Sequence, residues 1–271
     1  MHGYSGNARD FDDLARALSV DTRVVCPDVA GRGRSDWLGS PFEYHFGQFV
    51  ADLNALLLRV GAKQVDWIGT SMGGLLGMIV AGQAGSPIRR LVMNDVGAFL
   101  PAEALQAIGR NLHSPARFAS LEEVENHMRR THREWDELTD EQYRRLAVHG
   151  SRRADDGHRL HYDPQITRLM RSAPFSPGLF FWDAWYKVRC PVLLLRGERS
   201  QVFPRSVAHL MLDVKPKTQL VEIPGCGHVP ALMSPGQIAV VSDFLHAPSA
   251  HDFAATAPHN RRGAELEASQ A

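Results

Sequence analysis

The chain has 271 residues, 44% hydrophobic and 22% charged, which suits one globular domain with a sizeable core and room for an inserted subdomain. Thirty basic residues balance thirty acidic ones, so no basic excess directs it to nucleic acid or to an anionic membrane. Cys26, Cys190 and Cys226 are too few and odd in number for a disulfide framework, no apolar run approaches a membrane span, and the opening "MHGYSGNARD" has no apolar signal region, so a reduced, cytoplasmic chain is expected.

In chain order, "ARDFDDLARALS" sets Phe11, Leu14 and Leu18 on one helical face, with Asn7 as N-cap. "RVVCPDVAG" reads as a short strand ending in a Pro/Gly loop. "FGQFVADLNALLLRVG" is an amphipathic helix with Phe46, Phe49, Leu53, Leu56 and Val60 at helical spacing, stopped by Gly61. A strand "QVDWIG", an apolar helix "MGGLLGMIVAGQAG" and a strand "IRRLVMND" follow. The alternation resumes late with "PVLLLRG" (strand), "PRSVAHLMLD" (helix), "TQLVEIPG" (strand) and "SPGQIAVVSDFLH" (helix). Strands alternating with helices predict an α/β domain with a mostly parallel sheet covered on both faces.

The texture changes between Gly97 and Arg189. "SLEEV" and "TDEQ" carry capping boxes, Ser120 with Glu123 and Thr139 with Gln142, each followed by helix rich in Arg, Glu and His. No β-branched strand is evident. Residues 98–188 therefore read as a helical lid inserted between two parts of the core, 1–97 and 189–246, long enough to be functional rather than a connector. The aromatic cluster Phe180, Phe181, Trp182, Trp185 and Tyr186 at its end reads as packing against the sheet, the alternative being an acyl-binding wall. The tail 247–271, rich in Ala and Pro without periodicity, reads as disordered.

Chemistry concentrates in "WIGTSMGGLLG". Gly69, Ser71 and Gly73 form G-x-S-x-G between a strand and a helix, the context a nucleophile turn requires. The turn is too tight for side chains two places from the serine, and it lifts the hydroxyl to a helix N-terminus. The N–H groups there favour a developing negative charge. A hydroxyl needs a base, and "IPGCGHVPALMSP" supplies His228 beyond the final strand, at the edge of an open α/β sheet where sites form. His113, His127, His132 and His149 read as ordinary residues of charged lid helices. His158 and His161 lack a second ligand pair with metal spacing and read as a solvated loop. Cys226 reads as a small residue in a tight turn.

The order HG…D-x-x-G-x-G-x-S…G-x-S-x-G…lid…G-x-G-H resembles the α/β-hydrolase superfamily, specifically its lidded branch of serine esterases and carbon–carbon bond hydrolases. The matching stretches are "HGYSGN", "DVAGRGRSD", "GTSMGG", "NDVG", "LLLRG" and "GCGHVP", from residue 2 to about 245. The resemblance implies Ser71 as nucleophile, His228 as base, and the N–H groups of Met72 and Tyr4 as oxyanion donors, with no cofactor or metal. It excludes the branches with an Asp nucleophile.

Two departures stand out. The family normally has two or three strands before the HG loop, so their absence here leaves an expected open sheet edge and suggests a truncated version of a longer chain. The family also places its acid in the loop after "LLLRG", where this chain has Ser200-Gln201. An amide there cannot stabilise an imidazolium by charge; in a serine protease the equivalent change lowers turnover by about 10⁴. Three candidates remain: Asp95 at the end of the strand following the nucleophile helix, Gln201 as a neutral orienter, and Glu198. Asp95 has an alternative role as a cap on the turn into the lid. The expected activity is hydrolysis of small carboxylic esters through an acyl-enzyme, with a small-molecule ester as partner. The alternatives are hydrolysis of carbon–carbon bonds in ring-cleavage products, which Thr70 before the nucleophile disfavours, or a catalytically impaired binding relic.

Overall fold

A computed structural model of the protein describes residues 1–112, 117–135, 138–172 and 176–248. A short 3₁₀ turn (Ala8–Phe11), capped by Asn7, leads into α1 (Asp12–Leu18). Then follow α2 (Phe46–Val60), β1 (Val65–Thr70), α3 (Met72–Ala81) and β2 (Ile88–Asn94). The inserted region contains β3 (Phe99–Pro101), α4 (Ala102–Asn111), β4 (Arg117–Phe118), α5 (Leu121–Thr131), α6 (Asp140–Gly150), β5 (Ser151–Ala154), β6 (Gly157–Leu160), α7 (Pro164–Ser172), β7 (Gly178–Phe180) and α8 (Trp182–Lys187). The core resumes with β8 (Val192–Gly197), α9 (Arg205–Val214), β9 (Gln219–Ile223) and α10 (Pro235–His246).

The central sheet is parallel, with strand order β1-β2-β8-β9. The two-residue periodicity of its strands divides the core into two. Leu193, Leu195 and Val92 face α1 and α10, packing on Phe11, Leu14, Leu18, Val241 and Phe244. Val192, Leu194, Leu91 and Met93 face the other way, toward α2, α3 and α9. α3 belongs to this second layer and is buried almost all round, as its unbroken apolar sequence requires.

Two expectations need correction. "RVVCPDVAG" forms no strand. Val24 and Cys26 pack on the α1/α10 layer, but a groove separates this segment from β1, and an extended chain without a neighbour has no ladder to join. The free edge of β1 instead pairs with a single residue. The Met1 ammonium donates to Ile68 O (2.7 Å) and Thr70 N–H donates to Met1 O (3.0 Å), the two bonds one residue makes in a parallel ladder. The insertion, too, is not purely helical. It carries a two-stranded antiparallel pair, β3-β7, and a three-stranded one, β4-β6-β5. These strands are two to four residues long and rich in Arg and Gly, which hides them from a search for β-branched runs.

The insertion is tied to the core by polar contacts. Tyr44 Oη donates to Asp163 Oδ2 (2.6 Å), Tyr4 Oη donates to Ile166 O (2.8 Å), and Arg145 pairs with Asp13. Gly227 N–H, beside His228, donates to Glu134 O (2.7 Å). The aromatic cluster is only partly packed: Trp185 is fully buried and Phe181 meets Phe46 edge-on, whereas Phe180 and Tyr186 are exposed. The proposed tail falls, from residue 249 onward, outside the described residues, as does His113.

Candidate active site

Ser71 sits between the last residue of β1 and the first of α3, with φ +51° and ψ −116°. That region costs a non-glycine residue roughly 1–3 kcal/mol and persists only where surroundings enforce it. Here Ser71 N–H donates to Asn94 O of β2 (2.9 Å), and the glycines two places either side permit the turn. A Cβ on Gly69 would lie 2.2 Å from Gly73 O, and one on Gly73 would lie 2.3 Å from Met1 O. Met72 begins α3, so its N–H has no intrahelical partner.

The HG loop lies alongside. A Cβ on Gly3 would stand 3.7 Å from Ser71 Cβ, which places the Gly3–Tyr4 backbone beside Ser71. His2 holds this loop. Its Nδ1 donates to Gly3 O (2.7 Å) and its Nε2 accepts from Val29 N–H (2.9 Å). Complete burial lowers its pKa to about 3, so it is neutral and structural. Tyr4 is fixed at both ends, its carbonyl accepting from Arg32 Nε (2.8 Å).

Asp95 follows β2 at φ +56° and is fully buried. Its Oδ1 accepts from Gly197 N–H (2.9 Å). Its Oδ2 accepts from Ser200 Oγ (2.6 Å) and from His228 Nδ1 (2.7 Å). An ionised carboxylate only accepts, so Nδ1 carries the imidazole proton and Nε2 presents a lone pair. Asp95 thus binds the turn after β8, as a cap would, and also orients His228. Gln201 is exposed, and its Nε2 donates to Arg199 O (3.3 Å). Glu198 Oε2 accepts from Gly225 N–H (2.8 Å). Neither makes a hydrogen bond to the imidazole.

Ser71 and His228 line one cavity of about 250 Å³ beneath α5 and α6 of the insertion. Among the described residues Ser71 Oγ makes no hydrogen bond. In ligand-free sites the bond from nucleophile to base commonly forms only with substrate in place. The lining includes His127 and His132, which the sequence had placed among ordinary lid histidines, together with Trp135 and Asp10. The one available hint was position: both histidines flank Met128, part of the buried stripe of α5. Ser200 was also missed as a partner of Asp95, because its neighbour Gln201 held the position where the resemblance expected an acid. Burial raises the pKa of Asp10 to about 7. Among the described residues no group of three His, Cys, Asp or Glu side chains could hold a metal ion.

Comparison with known proteins agrees with this architecture. Residues 1–235 match the family model described as alpha/beta hydrolase fold. A 3-hydroxybutyrate-oligomer hydrolase of Cupriavidus necator is 39% identical over 252 residues, covering 90% of this chain and 86% of that protein. Among solved structures, a hydrolase from Rickettsia typhi has a TM-score of 0.86 at 28% identity, over 92% of this chain and 85% of that one. An alpha/beta hydrolase from Novosphingobium aromaticivorans has a TM-score of 0.80 at 31% identity, over 90% and 87%.

Proposed function

The chain belongs to the α/β-hydrolase family and is a hydrolase, and from that premise we propose that it cleaves small carboxylic esters through an acyl-enzyme on Ser71. His228 is the base, Asp95 the acid that orients it, and the N–H groups of Met72 and Tyr4 hold the oxyanion. The observation that carries this reading is the 2.7 Å bond from His228 Nδ1 to a buried Asp95 carboxylate. It gives the imidazole the tautomer that catalysis needs, which supports Asp95 rather than Gln201 as the acid and favours an active enzyme over an impaired relic.

Ser71 Oγ attacks the ester carbonyl while His228 Nε2 takes its proton, and Asp95 stabilises the resulting imidazolium. The carbonyl oxygen becomes an oxyanion between the two N–H groups. His228 then protonates the departing alcohol. Water, deprotonated by the same imidazole, attacks the acyl-enzyme and releases the acid. The likeness to the 3-hydroxybutyrate-oligomer hydrolase favours short oligoesters of a 3-hydroxy acid as substrate. Cys26, Cys190 and Cys226, too few and odd in number for a disulfide framework, suit a reducing, cytoplasmic setting, and no helix among the described residues is long and apolar enough to cross a membrane.

The test is labelling by a serine-directed fluorophosphonate, located by peptide mass, beside hydrolysis of the linear dimer of 3-hydroxybutyrate. Label on the Ser71 peptide, absent in Ser71→Ala, is expected together with turnover. Folded native protein that neither labels nor hydrolyses the dimer overturns the reading.

A further inference from the structure

His132 follows the last residue of α5, and its ring meets Trp135 edge-on, centroids 4.0 Å apart at 89°. Its Nδ1 lies 3.0 Å from Met128 O and 2.9 Å from Thr131 Oγ1. A carbonyl oxygen only accepts, so the proton is on Nδ1. The Thr131 hydroxyl sends its own hydrogen back to the helix, 3.0 Å from His127 O, and is free to accept as well. Nε2 is therefore left with an unshared lone pair, and among the described residues nothing hydrogen-bonds to it. Burial and nearby His127 lower the pKa to about 4, so the ring stays neutral near pH 7. His132 thus lines the same cavity as Ser71 and His228, and its Nε2 can only accept.

The other ionisable side chains there point the same way. Asp10, His127, His132, His228, Tyr4 and Tyr162 line the cavity; among the described residues no Lys or Arg does. A carboxylate entering it would meet no lysine or arginine to balance its charge. A hydroxyl would meet an acceptor.

We propose that His132 Nε2 accepts a hydrogen bond from a hydroxyl on the acyl part of the ester, so that hydroxyacyl chains enter hydroxyl end first. This rests on the ester-hydrolase reading. With an oligoester, Ser71 then acylates on the hydroxyl-terminal unit. The leaving alcohol is the hydroxyl of the next unit, which carries the carboxylate end out of the cavity. Each turnover consumes one water and releases one hydroxy acid from the hydroxyl end.

The experiment compares kcat/KM for the ethyl esters of 3-hydroxybutyrate, butyrate and 3-methoxybutyrate. The second lacks the hydroxyl, and the third keeps the oxygen but has no hydrogen to donate. One hydrogen bond of ordinary net strength predicts a preference of about 5- to 10-fold for the hydroxy ester. His132→Leu is expected to bring that ratio near one. His132→Gln, whose amide oxygen can accept, is expected to retain part of it. Equal rates on all three esters in the native enzyme, or an unchanged ratio in His132→Leu, overturns the proposal. Should the leucine variant not fold, the native comparison of hydroxy with methoxy ester decides alone. Failure of the underlying reading looks different: no ester is cleaved and Ser71 takes no label.

Discussion

Two cavities flank β1. The larger, about 600 Å³, runs along its free edge between α1 and α2, lined by Leu14, Leu18, Leu53, Leu57 and Val60. The smaller, about 250 Å³, opens off its C-terminal end and holds Ser71, His228, Asp10 and His132. Its walls come from loops that the sheet positions and are fixed by hydrogen bonds; those of the groove are helix faces meeting a strand edge. The charged groups at the rim of the groove satisfy one another, as Arg89 and Asp66 do at 2.5 Å. Volume therefore does not locate the chemistry here. Convergent polar groups with assigned protons do.

The contrast implies that substitutions at the smaller cavity change rate, whereas those at the groove change only stability. The largest effect is expected from Asp95→Asn. An amide would give His228 no charge partner and can hold the wrong tautomer, so kcat should fall by about 10⁴. Gln201→Asp should leave kcat within about two-fold, because position 201 faces solvent and Gln201 bonds to Arg199. A large gain in the Gln201→Asp enzyme, measured by steady-state kinetics, would return the acid to the loop after β8.

Ser200→Ala should come next. It removes the 2.6 Å bond that fixes Asp95 Oδ2 and leaves the carboxylate held by Gly197 and His228. A hydrogen bond to a charged group is worth about 1.5–3 kcal/mol. If a good part of that sets the orientation of the acid, kcat should fall roughly ten-fold with KM nearly unchanged. An unchanged kcat would make Ser200 a purely local brace for Phe203 N–H, which also bonds to its Oγ.

Acid stability should follow the buried histidines. His2 and His132 have pKa values lowered to about 3 and about 4. The unfolded chain therefore binds two more protons than the folded one between those values and about 6.5. Their contribution is complete above about pH 6.5 and is lost as pH falls toward 4. Asp10, raised to about 7, acts in the opposite sense, the folded state keeping a proton that the unfolded chain releases above about pH 4. The net slope is destabilising on acidification, at about 1.4 kcal/mol per pH unit for each uncompensated proton. Calorimetric Tm should fall from pH 6.5 to 5, and His132→Leu should flatten that fall by one proton; a Tm that rises on acidification would refute the assignment.

Much of this was readable from the chain because local signals agreed. The N-cap at Asn7, the helical spacing from Phe46 to Val60 and G-x-S-x-G between a strand and a helix each name their own structure. Asp95 remained one of three candidates because its role depends on where β2 ends relative to the loop after the last strand, a contact 133 residues apart in sequence. The segment from Arg23 to Val29 had the composition of a strand but no neighbouring strand, and composition does not report neighbours. His132 was hidden for a related reason. A histidine on a charged helix looks the same whether its open nitrogen faces water or a cavity, and only the position of the insertion over the sheet decides.

The smallest effect concerns the groove itself and tests the comparison from its other side. Its apolar lining is open to solvent along the β1 edge, so a dye that fluoresces in apolar surroundings should bind the native protein. Phosphonylating Ser71 should leave that emission unchanged, because Ser71 does not line the groove. Leu57→Glu should lower the emission, since it places a charge among Leu53, Leu56 and Val60, yet leave kcat within about two-fold. Dye displaced by the phosphonate would instead place the accessible apolar surface at the catalytic cavity. The two cavities would then be one continuous site, with the free edge of β1 part of its substrate path.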